Sequence, residues 1–92
     1  MAEKQKAEIK DNVVIFGHET ILDGKKIKQV TFRRPKTKDI RMAEQCADGY
    51  EQTNQLVRVL TGIDAATDTE FDEMDYEDYA NLSTVALGFL KR

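Results

Sequence analysis

Apolar residues recur along this chain in two rhythms, and the change between them separates a strand region from a helical one. Val13 to Thr20 opens in β-branched residues and ends in alternation, and Ile27 to Arg34 alternates Ile27, Val30 and Phe32 with Lys26, Lys28, Thr31 and Arg33. Between them, Leu22-Asp23-Gly24-Lys25 carries the Asp-Gly pair of a tight hairpin turn, where glycine tolerates positive φ. A β-hairpin is therefore predicted. Ile27 and Val30 differ in parity, which places a bulge near Lys28-Gln29.

Pro35, the only proline, ends the second strand because it has no N–H for the ladder. Beyond it the apolar spacing becomes helical. A first helix is predicted from Lys38 to Ala47, with Thr37 as its N-cap, Asp39 in its first turn, and Ile40, Ala43 and Ala47 on one face. Asp48-Gly49 breaks it. A second helix covers Tyr50 to Leu60, with Leu56, Val59, Leu60 and Ile63 near one stripe and Gly62 placed as a left-handed cap. Asp64 to Asp75 reads as a solvated acidic connection with room for one helical turn at Glu70 to Met74. Asp75 caps a last helix whose apolar face is Tyr79, Leu82, Ala86 and Phe89, with Lys91 and Arg92 suited to its carboxyl end. The predicted fold class is α+β, an N-terminal β-hairpin followed by two or three packed α-helices.

Length and composition set the scale of this fold. Ninety-two residues, 40% of them hydrophobic, supply one modest core, read as Val13, Ile15, Phe32, Leu56, Leu60, Tyr79, Leu82 and Phe89. Residues 13–92 are thus expected to form a single domain, preceded over residues 1–12 by a disordered charged tail. Net charge is −3, but it is divided. Residues 1–41 hold eleven Lys/Arg against six Asp/Glu, or +5, and residues 42–92 hold three against eleven, or −8. Such polarity steers partners to either pole or allows head-to-tail self-association; its plainer use is solubility. Cys46 is the single cysteine, so no internal disulfide forms. The longest strongly apolar run, Val13 to Phe16, is far short of the ~20 residues that span a bilayer. These features suggest a cytosolic protein that does not enter membranes.

Catalytic equipment is sparse. His18 and Cys46 are the sole histidine and cysteine, too few for a zinc site and unsupported as a nucleophile pair. His18 reads as a surface or hairpin residue and Cys46 as a packing residue. The acidic stretch lacks the spaced ligands and central glycine of a calcium loop, and Gly17, Gly24 and Gly62 make no phosphate-binding motif. The expectation is a non-enzymatic protein without catalytic, cofactor or metal residues. Lys25, Lys26, Lys28, Arg33, Arg34, Lys36, Lys38 and Arg41 form a basic cluster, which raises the alternative of a small nucleic-acid-binding regulator using the basic hairpin. An acidic chain with little aromatic interleaving argues against nucleic acid.

From Leu22 to Phe89 an ordered set of segments stands out: "LDG", "VTFRRPKTKDIRMAE", a helix ending in "LTGI", and "MDYEDYANL" leading into the closing helix. Arg33-Arg34-Pro35 followed by Thr37, Asp39 and Ile40 is its most specific piece, joined by Asp75-Tyr76-x-x-Tyr79-x-x-Leu82. Over about three quarters of the chain this resembles the small tail assembly chaperones of Mu-type contractile-tailed bacteriophages and prophages. The acidic insert around Thr67 to Asp72 is longer than the connection expected there. The resemblance implies a protein of the host bacterial cytoplasm, absent from the mature virion. It implies transient binding of the tape-measure protein, with the tail tube protein as a second partner in some members. A groove for an amphipathic client helix needs apolar contacts inside a charged rim. On that basis the candidate partner-binding residues are Arg33, Arg34, Phe32, Tyr79, Leu82 and Phe89. Arg34 has a competing structural use, pairing with Asp39 or Asp75 within the fold.

Overall fold

Two short turns organise the strand region, and each contains an aspartate at positive φ, a conformation that a short polar side chain tolerates better than a branched one. In the computed structural model, which describes residues 7–90, Asp23 has φ 57° and Gly24 φ 69°. Two consecutive positive values match the right-handed twist of the flanking strands, so the Asp-Gly hairpin forms as its sequence predicts. Asp11, at φ 56°, turns the chain a second time. Five strands result: β1 (Glu8–Lys10), β2 (Val13–Ile15), β3 (Ile21–Leu22), β4 (Lys25–Lys26) and β5 (Gln29–Thr31). Three of them form an antiparallel sheet of order β1-β2-β5, and β3-β4 is a separate two-stranded ribbon at the turn. The tail expected over residues 1–12 therefore needs correction at its end, where Glu8–Lys10 pairs with β2; residues 1–6 lie outside the described residues.

The hairpin is interrupted where Phe16 N donates to the Lys28 carbonyl and Ile27 N to that of Thr20, both at 2.9 Å. Gly17, His18 and Glu19 are surplus on the first arm, so an irregularity does lie beside Lys28, with its extra residues on the facing arm. Gly17 is required there: a Cβ on it would lie 2.8 Å from Ala7 N. The core parity of β2 also differs from expectation. Val14 pairs with Val30 and, with Phe16 and Phe32, is buried, whereas Val13 and Ile15 face Thr31 and Gln29 on the outer side and are only half-buried. Val13 to Phe16 is uniformly apolar, so its own pattern cannot choose a face; Val30 and Phe32 across the ladder do.

Four helices follow among the described residues: α1 (Thr37–Glu44), α2 (Gly49–Thr61), α3 (Asp68–Asp72) and α4 (Tyr76–Gly88). Lys36, not Thr37, is the N-cap of α1, and its N–H donates to Asp39 Oδ2 at 2.8 Å. The helix ends earlier than predicted because Asp48 is already the N-cap of α2, accepting from Glu51 N at 2.9 Å. Gly62, at φ 78°, closes α2 as expected. Asp75 caps α4 through Glu77 N at 2.9 Å, also as expected. The Lys91-Arg92 reading lies outside the described residues. Helix α2 packs against both α1 and α4, and α4 lies on β2. Leu56, Val57, Leu60, Leu82 and Ala86 meet the inner sheet residues in one buried cluster. No helix among the described residues is long and apolar enough to cross a membrane.

Candidate partner-binding surface

The acidic segment before α4 is built into the fold. Thr67 Oγ1 accepts from Glu70 N at 3.1 Å, and the Glu70 carboxylate returns to Thr67 N at 3.0 Å, a reciprocal cap that makes α3 a helix. Phe71 and Met74 then enter the core. The same Glu70 carboxylate accepts Asp23 N at 2.8 Å and Gly24 N at 2.9 Å, clamping the hairpin turn from across the chain. Asp68 receives Asn54 and Arg58, and Asp72 receives the Tyr50 hydroxyl. Most of the acids are exposed, as expected of a solvated connection, but these bonds and the burial of Phe71 and Met74 tie the segment into the fold.

Asp78 forms a buried tie of the same kind. It is wholly buried in the first turn of α4, and its carboxylate accepts Gly17 N at 2.9 Å and His18 N at 3.1 Å, satisfying the surplus residues of the hairpin. His18 is an exposed residue of the hairpin, as expected, and its Nδ1 lies 3.4 Å from both Asp75 and Asp78 oxygens at the start of α4. His18, Asp75 and Glu77 also place ligand atoms within 4.8 Å of one another. All three are exposed, and Asp75 already serves as the helix cap.

Burial divides the six expected partner contacts. Phe32 and Leu82 are wholly buried, so the folded chain offers neither to a partner. Phe89 is half-buried with its ring 6.0 Å from that of Phe32. Tyr79 is half-buried, its hydroxyl donates to Asn54 Oδ1 at 2.8 Å, and burial pushes that hydroxyl well above the usual tyrosine range. Arg33, not Arg34, pairs with Asp39, at 3.0 Å, and also donates to the Arg34 carbonyl. Arg34 is exposed and makes no ion pair among the described residues. These six residues do not form one surface.

A contiguous exposed surface lies instead on α1. Asp39 and Ala43 point inward, so Lys38, Arg41, Met42 and Gln45 share the outer stripe, and Met42 is 52% exposed. The helix phase predicted from Ile40, Ala43 and Ala47 already implies this stripe. Cys46 is half-buried beside it; burial and then Glu51 push its thiol up, and it donates to the Met42 carbonyl at 3.6 Å. That environment disfavours the thiolate needed for nucleophilic chemistry. A shallow cavity of about 380 Å³ beside the surplus hairpin residues is lined by Gly17, His18, Thr20 and Ile27 among others. Lys26 at its rim pairs with Glu19 at 3.3 Å.

Two of the buttressing carboxylates give the fold a defined acid response. The Lys36 N–H and then the Arg33 guanidinium hold the Asp39 carboxyl below its ordinary 3.8. The N–H groups of Gly24, Thr67 and Asp23 hold Glu70 below its ordinary 4.5. Both carboxyls release protons more readily folded than unfolded, so their stabilisation is complete above those ordinary values. It is lost as pH falls through the lowered ones. A thermal unfolding series should show a midpoint that declines below the ordinary carboxylate range; in Glu70→Gln the decline should be shallower. An identical acid profile in wild type and Glu70→Gln would show that the clamp contributes nothing.

A family model described as phage tail assembly chaperone proteins, E, or 41 or 14, matches residues 18–91. No curated protein and no solved structure matches the chain.

Proposed function

The chain belongs to the phage tail assembly chaperone family, and from that premise we propose that it binds the tape-measure protein transiently while the tail is built. The family match across residues 18–91 carries this reading, since it spans the β3-β4 turn and all four helices. Such chaperones act in the host during assembly. For this chain we further read the Mu-type branch, a non-enzymatic role in the host bacterial cytoplasm, absence from the mature virion, and the tail tube protein as a second client. A tape-measure protein is long and largely helical, and its exposed amphipathic helices need temporary cover.

The stripe Lys38, Arg41 and Met42, with Arg34 at its approach, suits one acidic-rimmed client helix: a polarizable apolar centre inside a cationic border. Arg33 is committed to Asp39 and serves to set the position of α1. No observation favours the nucleic-acid alternative, because the basic hairpin is interrupted by its own pairs, Lys26 with Glu19 and Arg33 with Asp39. Capture of purified tape-measure segments tests the surface. The double variant Arg34→Glu, Arg41→Glu should weaken capture at least about tenfold while leaving the unfolding midpoint near wild type. Undiminished capture by that variant would remove the stripe from the account.

A further inference from the structure

The sheet leaves one edge whose chemistry matches itself. Hydrogen bonds from Phe16 to Lys28 and from Phe32 to Asn12 show that alternate residues of the β2 arm turn their main chain toward β5, which makes Val14 and Val30 a hydrogen-bonded pair. Val13 and Ile15 therefore turn theirs toward Lys10 and Glu8 of β1. Ile9 lies between those two, so its N–H and C=O point outward, where β1 has no neighbouring strand among the described residues. Ile9 is also 38% exposed, one of few large apolar residues in that state. An open edge with an apolar residue at its centre is a template for another strand.

We propose that β1 pairs with β1 of a second copy, antiparallel about a two-fold axis through Ile9, joining two sheets into one. The sequence Glu8-Ile9-Lys10 selects that arrangement. Centred on Ile9, it places Glu8 opposite the partner's Lys10 and Lys10 opposite the partner's Glu8, both pairs on the outer face, while the two Ile9 side chains meet on the inner face. Parallel pairing in register would instead set Glu8 beside Glu8 and Lys10 beside Lys10. At the other edge, beyond β5, Arg33 N already donates to the Leu60 carbonyl at the end of α2, at 3.0 Å, so that side is partly covered. The seam is three residues long in each copy, so the dimer is weak and dependent on concentration. The inference stands apart from the client reading and does not require it.

Sedimentation equilibrium of the full chain, from about 10 μM to about 1 mM, tests the pairing. The mean mass should rise from 10.5 kDa toward twice that value. Ile9→Pro removes an N–H that β2 does not use, so the fold should persist while association is lost. Glu8→Lys alone gathers four cations at the seam and should weaken association roughly tenfold. The exchanged double variant Glu8→Lys, Lys10→Glu restores opposite charges and should recover it to within about threefold. A constant 10.5 kDa through the whole range, undiminished association of Ile9→Pro, or no recovery in the exchanged variant would each overturn the proposal.

Discussion

Replacing Asp78 with alanine is expected to remove about 3–5 kcal/mol of unfolding free energy, most of what a chain of this size possesses. The carboxylate is wholly buried and accepts the N–H groups of Gly17 and His18, at 2.9 and 3.1 Å, from residues some sixty positions earlier. Each hydrogen bond to a charged group contributes about 1.5–3 kcal/mol, and its loss leaves both N–H groups without the acceptor that holds the surplus residues in place. Asp78→Asn keeps the shape but presents an amide N–H₂ to one of the two donors, so it should lose about half as much. Urea unfolding measures both losses. Hydrogen exchange should show the Gly17 and His18 amides opening first in Asp78→Asn. Near-wild-type stability of Asp78→Ala would mean that the surplus hairpin residues hold themselves.

Phe32→Ala should be comparably severe, at about 3–5 kcal/mol, because the ring is wholly buried between the sheet and the end of α4, with Phe89 at 6.0 Å. The cost combines lost transfer energy with the cavity that remains, since a small core relaxes only in part. This prediction separates two uses of the residue. A partner contact would leave the unfolding midpoint of the isolated protein unchanged and weaken only client capture. Burial requires the midpoint itself to fall, and equal midpoints for wild type and Phe32→Ala would contradict it.

Features determined by neighbouring residues were legible without coordinates. Asp23-Gly24 needs only its own dihedral freedom, Gly62 and Asp75 cap the helices beside them, and the spacing Tyr79, Leu82, Ala86, Phe89 defines the inward side of α4. Features determined across the chain were not. Val13 to Phe16 offers apolar residues to both faces, and only pairing with Val30 turns Val14 inward. Strand β1 has one apolar residue between two charges, too little for a pattern, and it exists because Asp11 folds it onto β2. The acids of residues 64–78 look like a solvated run because nothing local reveals that Glu70 holds the hairpin turn or Asp78 the surplus residues. For partner contacts, Phe32, Tyr79, Leu82 and Phe89 are of the types that a core also selects. Burial alone separates the two uses, and it puts Phe32 and Leu82 in the core and Met42 on the outer stripe of α1.

Under the function proposed above, this chain keeps a tape-measure protein soluble until the tail tube takes it over. Co-expression with the tape-measure protein encoded beside it is the direct measurement, read as the soluble fraction of that protein and its co-purification with this chain. A clear rise in the soluble fraction is expected, with both proteins recovered in one complex. An unchanged soluble fraction with no co-purification would contradict it.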